Sequence, residues 1–187
     1  LQKLAWEPRY VGAHLATLAV LHTWTRAFLY HPHVHLLVSA GGLSPEGQRW
    51  VAPKNPAFLA PCFALSKLFR GKFKAGLQRL GLLARVEAAA WTQKWVVHCQ
   101  PAGTGQQVLD YLGRYVFRVA LSNSRLERFA EGQVTFRYRD NRTRQIQHLS
   151  LSAEEFIGRF LRHVLPKGFV KVRAYGLWSS TNQDKLA

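Results

Sequence analysis

The segment HPHVHLLVSAGG, residues 31–42, combines alternating histidines with an apolar run and ends in two glycines. Side chains of a β-strand point alternately to its two faces, so His33 and His35 share one face. Val34 and Leu36 then lie on the opposite face, which we expect to be buried in the core. The segment predicts a buried strand over residues 28–40 that presents two imidazoles on one surface.

Two neighbouring imidazoles on a strand can bind a single divalent cation. They can also be ordinary strand histidines, but three of the eight histidines of the chain fall within five residues in strict alternation. This density favours a metal site formed by His33 and His35. Two imidazoles are few for a stable site, so we expect a third protein ligand. There are two candidates for this ligand. His31 lies on the same face of the strand as His33 and His35 if the strand is regular there, and His22 lies on a strand predicted over residues 10–24.

The segment YLGRY, residues 111–115, is a second candidate for chemistry. It lies in a helix predicted over residues 106–118, where side chains four positions apart lie on one face. Tyr111 and Tyr115 would then stand side by side, with Arg114 and Arg118 near enough to contact a phosphate. A pair of core or interface aromatics has the same spacing, so this segment alone does not indicate catalysis.

The rest of the chain predicts an α+β fold with a mainly antiparallel sheet and helices packed on it, in one domain of 187 residues. Ser152 and Glu155 form a capping box at the start of one of the helices. The remaining predicted elements are a loop over residues 44–60, a helix over 61–80, a strand Lys94–Cys99, a hairpin over 133–151, a helix from Ser152 through Leu165 and a strand Val170–Trp178.

The charge of the chain indicates a polyanionic partner. Lysines and arginines number 26 against 10 acidic residues, which gives a formal net charge of +16. We expect nucleic acid rather than an anionic membrane, because the sequence contains no basic amphipathic helix with a clean lipid-facing side. No apolar run reaches the ~18 residues of a membrane span. Arg137 and Arg139 lie in the predicted hairpin, where they form either a solvated turn or a DNA contact. Cys62 and Cys99 are expected to be reduced core residues of a cytosolic protein.

A His-hydrophobic-His strand followed by a tyrosine helix resembles the HUH endonucleases. Within them, the chain is most similar to the two-tyrosine rolling-circle transposases of the insertion sequence ninety-one group. The likeness covers most of residues 10–180. It lies in LHTW (21–24), HPHVHLLVSAGGL (31–43), LSKLFRGKFK (65–74), YLGRYVFRVALSNSRL (111–126), residues 134–140, EEFIGRFLRHVLPKG (154–168) and YGL (175–177).

This resemblance implies an HUH core with an RRM-like arrangement and a metal-dependent enzyme of the bacterial cytoplasm that acts near the nucleoid. It would nick and rejoin single-stranded DNA at transposon ends through a 5′-phosphotyrosine. His33 and His35 match the metal ligands, with Mg²⁺ or Mn²⁺ as the ion, and Tyr111 and Tyr115 match the nucleophiles. Arg114, Arg118, Arg137 and Arg139 are the candidate DNA contacts.

Two alternatives remain open from the sequence. One is another HUH enzyme, a replication initiator or a relaxase, and the other is a DNA-binding remnant without catalysis. The chain has no methionine and opens with Leu1-Gln2-Lys3, so we expect a fragment of a longer protein. The resemblance implies a zinc-binding region and an initial strand of the HUH sheet upstream of Leu1.

Overall fold

The computed structural model of the protein describes residues 1–55, 59–116 and 118–185. The fold is α+β with antiparallel pairing, as the sequence predicts, but the strands form two sheets rather than one. The elements are α1 (Gln2–Ala5), β1 (His14–Trp24), β2 (Tyr30–Leu43), β3 (Trp50–Val51), α2 (Cys62–Arg79), α3 (Ala89–Thr92), α4 (Gln106–Val116), β4 (Leu126–Ala130), β5 (Gln133–Arg139), β6 (Ile146–Ser152), α5 (Ala153–Leu161) and β7 (Val172–Gly176). None of the helices in these ranges is long and apolar enough to cross a membrane.

The first sheet has the strand order β3-β2-β1-β7. Only five residues connect β1 to β2, so the two strands form an antiparallel hairpin. β3 pairs antiparallel with the end of β2 through Gly42 and Leu43. The two long strands of this hairpin carry the histidines named above.

The turn between β1 and β2 is anchored by Phe28. Its backbone φ is +61°, which is uncommon for a residue with a side chain, and its ring is fully buried. The ring contacts Phe136 of β5 and Phe156 of α5, with centroids 5.9 and 5.5 Å apart. Because the ring is held by both elements, the hairpin that carries the histidines is fixed at its turn.

The second sheet has the order β4-β5-β6 and pairs antiparallel throughout. Strands β5 and β6 confirm the predicted hairpin, whereas β4 was not predicted. Phe136 and Leu151 form its core together with Phe28, and Phe156 packs against them. The backbone amide of Glu155 donates to the hydroxyl of Ser152, which confirms the predicted cap of α5.

The chain divides into two compact units. One unit comprises Leu1–Thr17, Val38–Gly103 and Tyr175–Ala187, and its core is formed by Ala5, Val11, Ala13 and Leu15. The other comprises Leu18–Leu37 and Thr104–Ala174, with the Phe28 core. All histidines, tyrosines and arginines proposed from the sequence for chemistry or DNA contact belong to the second unit.

The predicted strand Lys94–Cys99 is wrong, since this segment is irregular. Its apolar residues suggested a strand, but Trp95 packs on a helix instead. Its ring lies 5.4 and 5.3 Å from those of Phe69 and Phe73 in α2, and its carbonyl accepts a hydrogen bond from Ser66. The backbone therefore bonds to a helical side chain rather than to a neighbouring strand.

The expected burial of Val34 and Leu36 is also wrong, because their side chains are 50% and 47% exposed. The opposite face of β2 is the covered one: Leu37, with the same parity as His33 and His35, is buried. The tyrosine rings of α4 pack over the histidines of this face, which explains the reversal. The alternation correctly indicated which residues share a face, but not which face is buried.

Other boundaries shift by a few residues. The helix predicted over 61–80 forms as α2, and the helix predicted over 106–118 is described as α4, with residue 117 outside the described residues. The predicted loop over 44–60 contains the short strand β3, and its residues 56–58 also lie outside them. Helix α5 ends at Leu161 rather than Leu165, because the amides of His163 and Val164 bond three residues back and tighten the chain before Pro166.

The two cysteines are free thiols, but the prediction that both are core residues is wrong. Cys99 is exposed and Cys62 is partly buried. The pKa of the Cys99 thiol is raised to about 11 by desolvation and by a hydrogen bond with the Cys62 side chain. The two side chains therefore meet although they are distant in sequence.

A candidate metal and tyrosine site

Three histidines of β1 and β2 converge on one face of the hairpin. Each of His22, His33 and His35 offers a ring nitrogen, and these nitrogens lie within 4.8 Å of one another. Two ligands of a shared transition-metal ion are separated by at most ~4.2 Å, so a small inward movement would let all three bind one ion. Of the two candidates for a third ligand, the structure places His22 in this group and leaves His31 outside it.

Backbone carbonyls orient two of the three imidazoles. The Nε2 of His22 lies 2.7 Å from the carbonyl oxygen of Tyr115, and the Nδ1 of His33 lies 2.7 Å from that of His31. A carbonyl oxygen only accepts, so each of these ring nitrogens must carry the proton. The other ring nitrogen then keeps its free lone pair, as in metal-binding histidines whose second nitrogen donates to a carbonyl.

Two of the three imidazoles, those of His22 and His35, have lowered pKa values. Burial is the main cause that lowers the pKa of His35, to about 4, and the neighbouring His22 and His33 lower it further. Burial likewise lowers the pKa of His22, although its bond to the Tyr115 carbonyl opposes the shift. Neutral imidazole is the form that binds a metal, so this donor set fits a divalent ion at neutral pH.

Helix α4 brings both tyrosines to the histidines. The rings of Tyr111 and Tyr115 are 4.4 Å apart, as their spacing on one helical face predicts. The ring of Tyr115 lies 4.2 Å from that of His35, and the hydroxyl of Tyr111 makes a long contact of 3.5 Å with the Nδ1 of His35. Burial, followed by the nearby Tyr115, raises the pKa of the Tyr111 hydroxyl.

Two further residues lie beside the histidines, where the sequence did not place them. The ring of Trp24 stacks on that of His22 with centroids 4.6 Å apart. The ammonium of Lys171 lies 5.1 Å from the centre of the Trp24 ring and donates to the carbonyl of Arg118. The alternation of β1 places His22 and Trp24 on one face, and this spacing is the sequence signal that could have predicted Trp24 beside His22. Nothing local in the sequence connects Lys171 to this site.

The four arginines proposed for DNA contact fall into two groups. Arg114 and Arg118 are exposed near the end of α4, beside the tyrosines. Arg137 and Arg139 lie on β5, where Arg137 donates to the carbonyl of Ser124 and Arg139 to that of Arg144. The second pair therefore has backbone partners within its own sheet region, whereas the first pair is available to a ligand.

The chain matches the Y2_Tnp family, described as "Putative transposase", over residues 17–185. It is 42% identical over 208 aligned residues to "Putative transposase y4qJ" of Sinorhizobium fredii (strain NBRC 101917 / NGR234). This alignment covers 100% of the present chain and 52% of that protein. It is also 31% identical over 180 aligned residues to "Transposase for insertion sequence element IS801" of Pseudomonas savastanoi pv. phaseolicola. This second alignment covers 88% of the present chain and 43% of that protein.

The chain thus spans about half the length of these curated relatives. No solved structure matches it significantly. The family match includes both the histidine hairpin and the tyrosine helix, and it extends over most of the sequence. The chain therefore belongs to the Y2_Tnp family of transposases.

Proposed function

We propose that this chain is the catalytic part of a transposase with an HUH-type core that nicks and rejoins single-stranded DNA at transposon ends. Tyr111 and Tyr115 act as nucleophiles, and His22, His33 and His35 hold a divalent metal ion. The observation that carries the proposal is the meeting of three imidazoles with two phenols on one face of the β1–β2 hairpin. A core cluster of aromatic residues would not need to bring a ring nitrogen from each of three histidines within 4.8 Å of one another.

The proposed reaction is a transesterification. The phenolic oxygen of a tyrosine attacks the phosphorus of the scissile phosphodiester, and the bond from phosphorus to the 3′-oxygen breaks. The phenol gives up its proton, and the 3′-oxygen leaves with a proton as a free hydroxyl. The DNA strand is then joined to the protein through a 5′-phosphotyrosine, and attack by a 3′-hydroxyl reverses the steps. Each step exchanges one ester for another, so no nucleotide cofactor is needed.

The metal ion and the arginines would offset the negative charge of the scissile phosphodiester. When bound, Mg²⁺ or Mn²⁺ would neutralise a non-bridging phosphate oxygen and orient the scissile bond. Imidazole ligands suit Mn²⁺ better than Mg²⁺, which prefers oxygen ligands and water. Burial raises the pKa of Tyr111, so its phenol is protonated at neutral pH and must lose the proton as it attacks.

The protein supplies DNA affinity through its positive charge. Exposed Arg114 and Arg118 flank the tyrosines, and Arg137 and Arg139 extend the positive surface over β5. Phosphate contacts of this kind give binding that weakens as salt is raised. Two tyrosines in contact would let two DNA strands be held, or exchanged in sequence, at one site.

The proposal is tested by nicking and rejoining of labelled single-stranded oligonucleotides that carry candidate transposon ends. We expect nicking in Mn²⁺, none in chelator, and none for the double variant Tyr111→Phe/Tyr115→Phe. Tyr138→Phe, a tyrosine of β5 in the other sheet, serves as the matched control and should retain activity. Nicking that persists in the double variant would contradict the proposal, whereas salt-sensitive binding without nicking would identify a DNA-binding remnant. Cleavage at replication or transfer origins, but not at transposon ends, would favour the initiator or relaxase alternative.

A further inference from the structure

A pocket of about 310 Å³ opens where the chain leaves helix α4 and approaches β4. It is lined by Arg118, Val119, Ser122 and Arg125, all in the unit that contains the histidines. Its walls contain two guanidinium groups and the hydroxyl of Ser122, which also bonds to the hydroxyl of Ser124 at 3.0 Å. This donor set recognises an oxyanion rather than an apolar molecule.

The two arginines of the pocket differ in their freedom. The guanidinium of Arg125 donates to three backbone carbonyls, those of Arg137, Ala120 and Arg26. It is therefore a positioning residue that fixes the pocket wall. Arg118 is exposed, and no described acceptor or carboxylate bonds to its side chain. Its guanidinium is thus free to bind a ligand.

Within the part of the chain that the structure describes, no carboxylate pairs with the positive charge around this pocket. Ion pairs among the described residues join Arg9 with Glu7, His148 with Glu127, and Arg159 with Glu155. None includes an arginine of the pocket or Lys171, whose ammonium donates to the carbonyl of Arg118. Desolvation, and then repulsion from Arg118 and Arg26, lowers the pKa of Arg125. A concentration of like charge of this kind is relieved by a bound anion.

The pocket is physically connected to the histidine cluster. Lys171 bonds to the Arg118 backbone and also lies over Trp24, which stacks on His22. Arg118 follows Tyr115 by three residues at the end of α4, and its charge acts on both His22 and His35. A DNA strand whose scissile phosphate lies at the histidines would therefore pass the pocket within a short distance.

We propose that this pocket binds a backbone phosphate of the single-stranded DNA next to the scissile phosphate, with Arg118 as the direct contact and Arg125 as the residue that shapes the wall. The inference rests on the proposed function for its DNA substrate. It adds a second phosphate subsite that would fix the register of the strand at the tyrosines. Single strands lack the rigid geometry of a duplex, so an additional fixed phosphate would help to define which bond is cut.

The first test measures equilibrium binding of a mixed-sequence single-stranded oligonucleotide by fluorescence anisotropy over a range of salt concentrations. We expect Arg118→Ala to weaken binding about tenfold. The slope of the logarithm of the binding constant against the logarithm of the salt concentration should become shallower by ~0.7, the value for one lost phosphate contact on a single strand. Ser122→Trp should do the same, because it fills the pocket without removing a charge. Arg85→Ala, an exposed arginine of the other unit, removes the same charge and should leave the salt dependence unchanged. An unchanged salt dependence in both pocket variants would overturn the subsite.

The second test locates the phosphate. An oligonucleotide that is nicked is made with a single neutral methylphosphonate at successive positions, and its binding to the Tyr111→Phe/Tyr115→Phe variant is measured. We expect the methylphosphonate to weaken binding at one position, within about two nucleotides of the cut, which is the reach of a neighbouring subsite. This loss should occur when Arg118 is present and should be absent when Arg118→Ala is added. Equal losses with both proteins at every position would overturn the inference. The first test does not require nicking, so failure of the proposed function and failure of the subsite are distinguished.

Discussion

The Nε2 of His22 donates a hydrogen bond to the backbone carbonyl of Tyr115 over 2.7 Å. This carbonyl is one of the last four of helix α4, whose oxygens accept no hydrogen bond from an amide of the same helix. One hydrogen bond therefore orients a candidate metal ligand and joins the tyrosine helix to the hairpin that carries the other two histidines. Through it, the position of the tyrosines depends on the same residue that completes the histidine cluster.

Replacement of His22 should weaken metal binding more than replacement of His31. We expect His22→Ala to lower Mn²⁺ affinity at least about tenfold, because it removes a ring nitrogen from a three-nitrogen cluster. His31→Ala is the matched control, since its ring lies outside the cluster, and it should change affinity less than about twofold on the same basis. Titration calorimetry, with circular dichroism to check folding, measures both. A larger loss in His31→Ala would show that the third ligand is assigned wrongly.

The two tyrosines should not be equivalent in the first cleavage. The Tyr111 hydroxyl contacts the Nδ1 of His35, one of the three histidines of the proposed metal site, at 3.5 Å. We expect Tyr111→Phe to slow the first nick about tenfold or more, in keeping with the loss of a positioned nucleophile, and Tyr115→Phe to affect it less. Single-turnover kinetics in Mn²⁺ distinguishes the variants. Equal rates for the two single variants would contradict a fixed order of attack.

Without metal, the stability of the protein should decrease as the pH is lowered from about 6.5 to about 4. The pKa of His35 is about 4 in the folded protein and ordinary, ~6.5, in the unfolded chain. Between these values the unfolded chain binds a proton that the folded protein does not, so acid favours unfolding. Urea denaturation in chelator, compared with His35→Gln, measures this effect. The prediction fails if wild type and variant lose stability in parallel over this range.

Phe28 should be a main source of stability for the hairpin. Its ring is fully buried against Phe136 and Phe156, so Phe28→Ala is expected to cost ~3–5 kcal/mol in the free energy of unfolding. Phe129→Ala is the control, because that ring is 71% exposed, and it should cost less than ~0.5 kcal/mol. Urea denaturation gives both values. Similar losses at the two positions would mean that the ring of Phe28 does not anchor the turn.

The sequence predicted the parts of the site that depend on local geometry. Strand alternation brought His33 and His35 together, and helical spacing did the same for Tyr111 and Tyr115. Each of these relationships involves residues at most four positions apart on one element. His22 was one of two open candidates, because its position depends on how β1 and β2 pair.

Features that depend on distant packing could not be predicted. The run around Val96 has strand-like composition, but the packing of Trp95 on α2 decides its conformation. The exposure of Val34 follows from the helix that covers the opposite face of β2. Arg125 forms its three carbonyl contacts with residues of separate segments, and no local pattern marks it as a positioning residue.

The most direct measurement is to identify the amino acid that carries DNA after reaction. The protein is incubated with a single-stranded transposon end in Mn²⁺, treated with nuclease and trypsin, and analysed by mass spectrometry. Trypsin cuts after Arg114, so Tyr111 and Tyr115 fall in different peptides, residues 95–114 and 115–118. We expect a nucleotide on one or both tyrosines, absent when chelator replaces the metal. An adduct on another residue, or none from an oligonucleotide that is nicked, would contradict tyrosine catalysis at this site.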